Sequence, residues 1–149
     1  MNKTLLAAVA ALCLTASIAQ AQTIYPALDP NTGANISAPG IQASASVPIS
    51  TAAASTVQLI APVAGRTTYV TDFNFMAAGA TNVTFVYGTG TNCTTGQTAL
   101  TGAYPMTAQT QVSHGTGVGP VLVLPASNAL CMINSAAIQV SGSLGYTQF

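Results

Sequence analysis

The chain has 149 residues, of which half are hydrophobic and only 3% are charged, against about 25% charged in an ordinary soluble domain. The charges are Lys3, Arg66, Asp29 and Asp72, and there is no glutamate or tryptophan. High hydrophobicity with little charge is the reverse of a disordered composition. The length allows one domain with a real core.

The N-terminus, "MNKTLLAAVAALCLTASIAQAQ", carries Lys3, an apolar stretch from Leu5 to Ile18, and a small-x-small close at Ala19-Gln20-Ala21. This is the pattern of a cleaved secretory signal peptide of bacterial type, residues 1–21. The alternative is a retained anchor, but the stretch is short and rich in alanine. Beyond it no apolar run approaches the length of a membrane-spanning helix. The mature chain then begins at Gln22 and contains no lysine.

Residues 22–50 hold four prolines with many alanines and serines, which reads as an extended N-terminal arm. Within it "IQASASVPI" offers a first strand that Pro48 would keep at a sheet edge. The domain proper is expected over residues 51–149. "STVQLIAPV" is short and β-branched. "RTTYVTDFNFM" alternates, so Tyr69, Thr71, Phe73 and Phe75 are expected on one face and Val70, Asp72, Asn74 and Met76 on the other. "VTFVYG" places Val83, Phe85 and Tyr87 together. "TALTGAYPM" and "TAQTQVSHG" follow. "GPVLVLP" is a continuous apolar run, expected to be a fully buried strand. "ALCMIN" and "AIQVSGSLGYTQF" close the chain, with Ile138, Val140, Leu144 and Tyr146 on one face. Eight or nine short strands divided by Gly, Pro, Asn and Ser, with no capped helical period, predict an all-β fold. An antiparallel jelly-roll-like β-sandwich fits strands this short and unequal.

Loss of the leader removes Cys13 and leaves Cys93 and Cys131. Two cysteines in an exported chain point to one disulfide, which would tie the loop "GTGTNCTTGQT" to the strand carrying Cys131. Two free thiols are the alternative. No metal site is expected, because two isolated cysteines and His114 lack any ligand spacing. No cofactor is expected either. Catalysis finds little support: His114 has only Asp29 and Asp72 as orienting acids, and no nucleophile elbow occurs. The same two aspartates are the whole stock for paired-carboxylate glycoside hydrolysis. "HGTGVGP" lacks the lysine of a phosphate loop and ends in proline, so it reads as a flexible turn. Nucleic-acid binding is excluded by the single cation, Arg66, that survives cleavage.

A surface of Thr, Ser, Asn, Gln, Gly and Ala has little charge repulsion between copies, and its sheet edges lack charged protection. The expected product is a homo-oligomer acting in surface assembly or attachment, with polar loops able to meet a glycan. Tyr87, Tyr104 and Tyr146 are candidate contact aromatics, with sheet packing as the plainer role.

The stretch "STVQLIAPVAGRTTYVTDFNFMAAGATNVTFVYGTG" and the ending "AIQVSGSLGYTQF" resemble small β-sandwich decoration or fibre-type proteins of tailed phages and prophages, over about residues 55–149. The resemblance implies a structural role on a capsid or cell surface and no catalytic residue. Virion proteins assemble without export, so the leader favours a secreted, periplasmic or cell-surface protein over a virion one. A pilus-type subunit donating its N-terminal arm to a neighbour is the second reading. A small outer-membrane β-barrel is a third. The phase of the C-terminal strand argues against it, with Thr147, Gly145 and Ser143 in step with Phe149.

Overall fold

The computed structural model describes residues 27–28, 35–36, 41–116 and 119–149. The expected signal peptide and most of the arm lie outside the described residues. Two short strands of the arm are described, β1 (Ala27–Leu28) and β2 (Asn35–Ile36), and they pair with each other, Ala27 opposite Ile36.

The remaining strands form two antiparallel sheets. They are β3 (Ala45–Thr51), β4 (Ser55–Ile60), β5 (Thr68–Ala77), β6 (Thr81–Thr89), β7 (Thr95–Ala99), β8 (Tyr104–Met106), β9 (Gln111–Gly115), β10 (Leu122–Leu124), β11 (Ala129–Asn134) and β12 (Val140–Gln148). The first sheet runs β3-β12-β5, and β9 and β10 both pair with β5. They lie end to end along it, β9 against 72–76 and β10 against 68–70. The second sheet runs β4-β11-β6, with β7 and β8 likewise end to end along β6. A one-turn 3-10 helix, Thr91–Cys93, interrupts the link from β6 to β7.

The core fills the space between the sheets. Phe73, Phe75 and Val70 of β5, Val140 and Leu144 of β12, and Ile49 of β3 come from one side. Val83 and Phe85 of β6, Leu130 and Met132 of β11, and Ile60 of β4 come from the other. The ring of Phe85 lies 4.9 Å from that of Phe73 and 5.7 Å from that of Phe75. Offset and edge-on ring pairs of this kind add to plain area burial, so these three phenylalanines join the sheets at their centre.

One buried polar side chain joins three separate segments. Asn134 is buried. Its Nδ2 donates to the carbonyls of Ile138 (2.8 Å) and Ala53 (3.1 Å), and its Oδ1 accepts from Thr81 Oγ1 at 2.6 Å. One side chain thus ties the β3–β4 corner, the start of β6 and the β11–β12 turn. That satisfies three groups that would otherwise be desolvated without partners.

Three expectations need correction. The first concerns β5. Gly145 of β12 faces Asp72, but Tyr146 faces Val70, so Thr71 is an extra residue without a partner on β12. A bulge of one residue reverses the alternation. Val70 therefore joins Phe73 and Phe75 in the core. Tyr69 turns to the outer face, where Phe149 packs 5.9 Å away ring to ring. The second concerns "GPVLVLP". Its strand, β10, is an edge strand with a partner only in β5. Leu124 is buried, while Val121 and Val123 are 37% and 48% exposed. The third concerns the arm. Its boundary at residue 50 falls inside β3, whose Val47 and Ile49 pack inward while Pro48 sits on the edge strand.

Candidate functional site

The cysteine-bearing loop lies on the outer face of the second sheet. In β11, Leu130 and Met132 point into the core, so Cys131 and Ile133 point away from it. Chain leaving β6 folds back over that face and brings Cys93 within a Cα–Cα distance of 6.2 Å of Cys131, with the two bonded as a disulfide. The bond is the centre of a second apolar cluster, with Val86, Ala129 and Ile133 around it. Asn92 and Cys93 both have φ near +55°, at 53° and 56°. Such a backbone is unfavourable for ordinary side chains and is held here from both ends. The Asn92 side-chain oxygen, Oδ1, accepts the Gln58 N–H at 3.0 Å, and the disulfide holds Cys93. Gly88 allows the loop to lie this close, because a Cβ there would stand 2.9 Å from the Thr95 carbonyl oxygen and 3.1 Å from Cys93 Cβ.

Tyr87, Tyr104 and Tyr146 stand on β6, β8 and β12, in both sheets. All three are half-buried and packed against the main core. Tyr104 marks one rim of the sandwich. Its ring contacts Phe75 at 5.8 Å and His114 at 6.0 Å, and His114 also lies 5.1 Å from Phe73. The pair Tyr104–His114 therefore spans the two sheets where the chain crosses from β8 to β9.

Outside the first sheet the surface is different. Asp72 and Asn74 alternate with Phe73 and Phe75 and face outward. With Phe73, Ser113, His114, Gly115 and Thr116 they line a groove of about 270 Å³ at the β5–β9 edge. Asn74 Nδ2 donates to Ser143 Oγ at 2.9 Å, and Thr71 Oγ1 donates to Asp72 Oδ2 at 3.0 Å. Asp72 is the single carboxylate side chain among the described residues. Gly145 lies under it, and a Cβ there would fall on the carboxylate. Gly115 has φ +82°, and its Cβ would overlap the Thr71 carbonyl.

This arrangement offers hydrogen-bond acceptors and donors and little else. His114 and Asp72 do not form an acid–base pair, because the imidazole packs toward Phe73 and Tyr104 while the carboxylate stands on the outer face. Among the described residues no three His, Cys, Asp or Glu side chains gather into a metal-binding group. Asp29 lies outside the described residues. Arg66, the cation among them, donates from Nη1 to the Gln148 carbonyl at 3.2 Å. The "HGTGVGP" stretch leads from β9 toward β10, with residues 117 and 118 outside the described set.

Sequence reasoning named Asp72 only as a weak catalytic acid and missed the groove. The signal was Asp72-Phe73-Asn74, which puts a carboxylate and an amide on one outward face two residues apart.

The fold and these surfaces define a two-sheet antiparallel β protein with one internal disulfide. Compared with protein-family models, with curated proteins and with solved structures, the chain matches none.

Proposed function

We propose that this is an exported, non-enzymatic structural protein that self-associates and presents polar surfaces for attachment, as in the decoration or fibre-type proteins of phages and prophages. The observation that carries the reading is the nearly uncharged outside of a well-packed sandwich, on which the described charged side chains are Arg66 and Asp72. Edge strand β4, "STVQLI", has neither charge nor proline, and β7, "TGQTA", is exposed along its length. Uncharged edges, the exposed Val123 of β10 and the exposed Val121 just before it are features that isolated monomers ordinarily suppress.

A jelly roll is the architecture we infer within the β-sandwich class. Its support is the order β3-β12-β5-β9/β10 over β4-β11-β6-β7/β8, with the chain changing sheets at six of the nine connections from β3 to β12. Pilus-type strand exchange needs a groove left open for a neighbour's strand. Here β12 of the same chain lies between β3 and β5, which favours the first reading. The inward apolar residues of β5, β6 and β12 likewise favour a sandwich over an outer-membrane barrel.

The test is light scattering on the purified mature protein after size exclusion. A trimer or larger assembly is the expected result. A stable monomer at all concentrations would refute self-association.

A further inference from the structure

We propose that the groove between β5 and β9 binds a neutral saccharide, through adjacent hydroxyls of one sugar residue held by Asp72, Asn74 and Ser113. This rests on the attachment reading and gives it a ligand class and a place. The groove's charge selects the ligand. No lysine or arginine lines it, and its one basic residue, His114, packs its ring on Phe73 and Tyr104, so phosphate, sulfate and acidic sugars find no lysine or arginine counter-charge. One carboxylate and one imidazole, with no third ligating side chain beside them among the described residues, are too few for a divalent cation. The lining is too polar for an apolar guest.

What remains is chemistry suited to a polyol. An ionised carboxylate accepts at about four lone-pair positions. Asp72 receives one hydrogen bond, from Thr71 on Oδ2, and among the described residues Oδ1 receives none. Two neighbouring sugar hydroxyls can donate to it as a pair, as charge-assisted hydrogen bonds. Asn74 is held by Ser143 through one N–H, so its amide keeps an acceptor and a second donor in a fixed direction. The Ser113 hydroxyl both donates and accepts from across the ladder, opposite Asn74. Gly115 lets β9 lie close against Thr71 and Asp72, and Gly145 leaves the room that the Asp72 carboxylate occupies. A volume of about 270 Å³ is below the range of roughly 300–1,000 Å³ of drug-sized sites, which suits a single sugar unit. Binding of one unit is weak, and an assembly of many copies is what would make it effective.

The experiment uses the secreted mature protein, labelled with nitrogen-15. It is titrated with methyl α-mannoside, methyl β-galactoside, methyl β-glucoside and N-acetylglucosamine at low and high salt. At least one of these is expected to shift the amide signals of residues 72–74 and 113–116, with a dissociation constant in the millimolar range. The affinity should be unchanged by salt, since the ligand carries no charge. Asp72→Asn should weaken it at least about tenfold. Ser113→Tyr, at an exposed strand position, should abolish it while the melting temperature holds. Absence of any shift at those amides with all of these sugars would overturn the proposal. So would sugar binding that both variants leave intact, or binding of ethanolamine that salt removes in place of sugar binding. Oligomers that adhere to cells with no saccharide shift would refute this inference alone. A monomer that binds sugar at the groove would refute the assembly reading alone.

Discussion

Replacing Cys93 and Cys131 together by alanine should destabilise the domain strongly without changing its fold. The bond closes a loop across 38 residues, and for a loop of that length the chain-entropy model gives about 4 kcal/mol at 25 °C. That is a large share of the roughly 5–15 kcal/mol holding a typical domain together. Both cysteines are fully buried among Val86, Ala129 and Ile133, so losing the two sulfurs adds a packing loss to the entropic one. Near this size each kcal/mol is worth about 4 °C in melting temperature, and the expected fall is about 15 °C. Thermal and urea unfolding, followed by far-ultraviolet circular dichroism on the oxidised wild type and the double variant, measures it directly. Wild type kept in reductant should approach the variant. Hydrogen exchange should speed up first at residues 88–95, where Asn92 and Cys93 lose the restraint on their left-handed backbone. A melting temperature within about 3 °C of wild type would refute the claim that the bond constrains the unfolded chain.

Asn134→Ala should cost about 3 kcal/mol, because it removes three hydrogen bonds at once, to Thr81 Oγ1 and to the part-buried carbonyls of Ala53 and Ile138; urea unfolding gives the value, and a loss under about 1 kcal/mol would deny the tie between three turns. Gly142→Ala should prevent or severely weaken pairing of β12 with β5, since a Cβ there meets the Asn74 carbonyl and the Phe75 Cα; soluble yield and melting temperature report it, and a wild-type melt would contradict the close approach. Phe85→Ala should destabilise by about 3–5 kcal/mol, because its ring touches both Phe73 and Phe75 across the sheets. Val123→Lys, on the exposed side of edge strand β10, should leave the melting temperature nearly unchanged; a shift toward smaller species in light scattering would assign that edge to self-association.

Much of the fold was legible because strand alternation is strong where one face is buried. Val83, Phe85 and Tyr87, and Val140, Leu144 and Tyr146, face the core as their spacing predicts, while Ile138, expected with the second set, lies before β12 and outside the core cluster. The Cys93–Cys131 pairing was expected from the count of cysteines left once residues 1–21 are read as a leader, and the two are bonded. What failed depended on partners distant in sequence. The bulge at Thr71 is set by the register of β12 on β5, and nothing within "YVTDF" marks it. The exposure of Val121 and Val123 follows from the edge position of β10, which an apolar run cannot reveal. The β5–β9 groove needs Asp72 and Gly115 to face one another, and these residues are far apart along the chain. The contact role expected of the three tyrosines stays a proposal, because their rings also pack on the core.

The central claim is an exported protein that assembles. Its most direct test is mass spectrometry combined with light scattering on the protein recovered from the extracellular or periplasmic fraction. The account predicts a chain beginning at Gln22, two hydrogens lighter than its reduced mass, in a trimer or larger oligomer. A full-length chain retained in the cytoplasm, with free thiols and a monomeric mass, would contradict it.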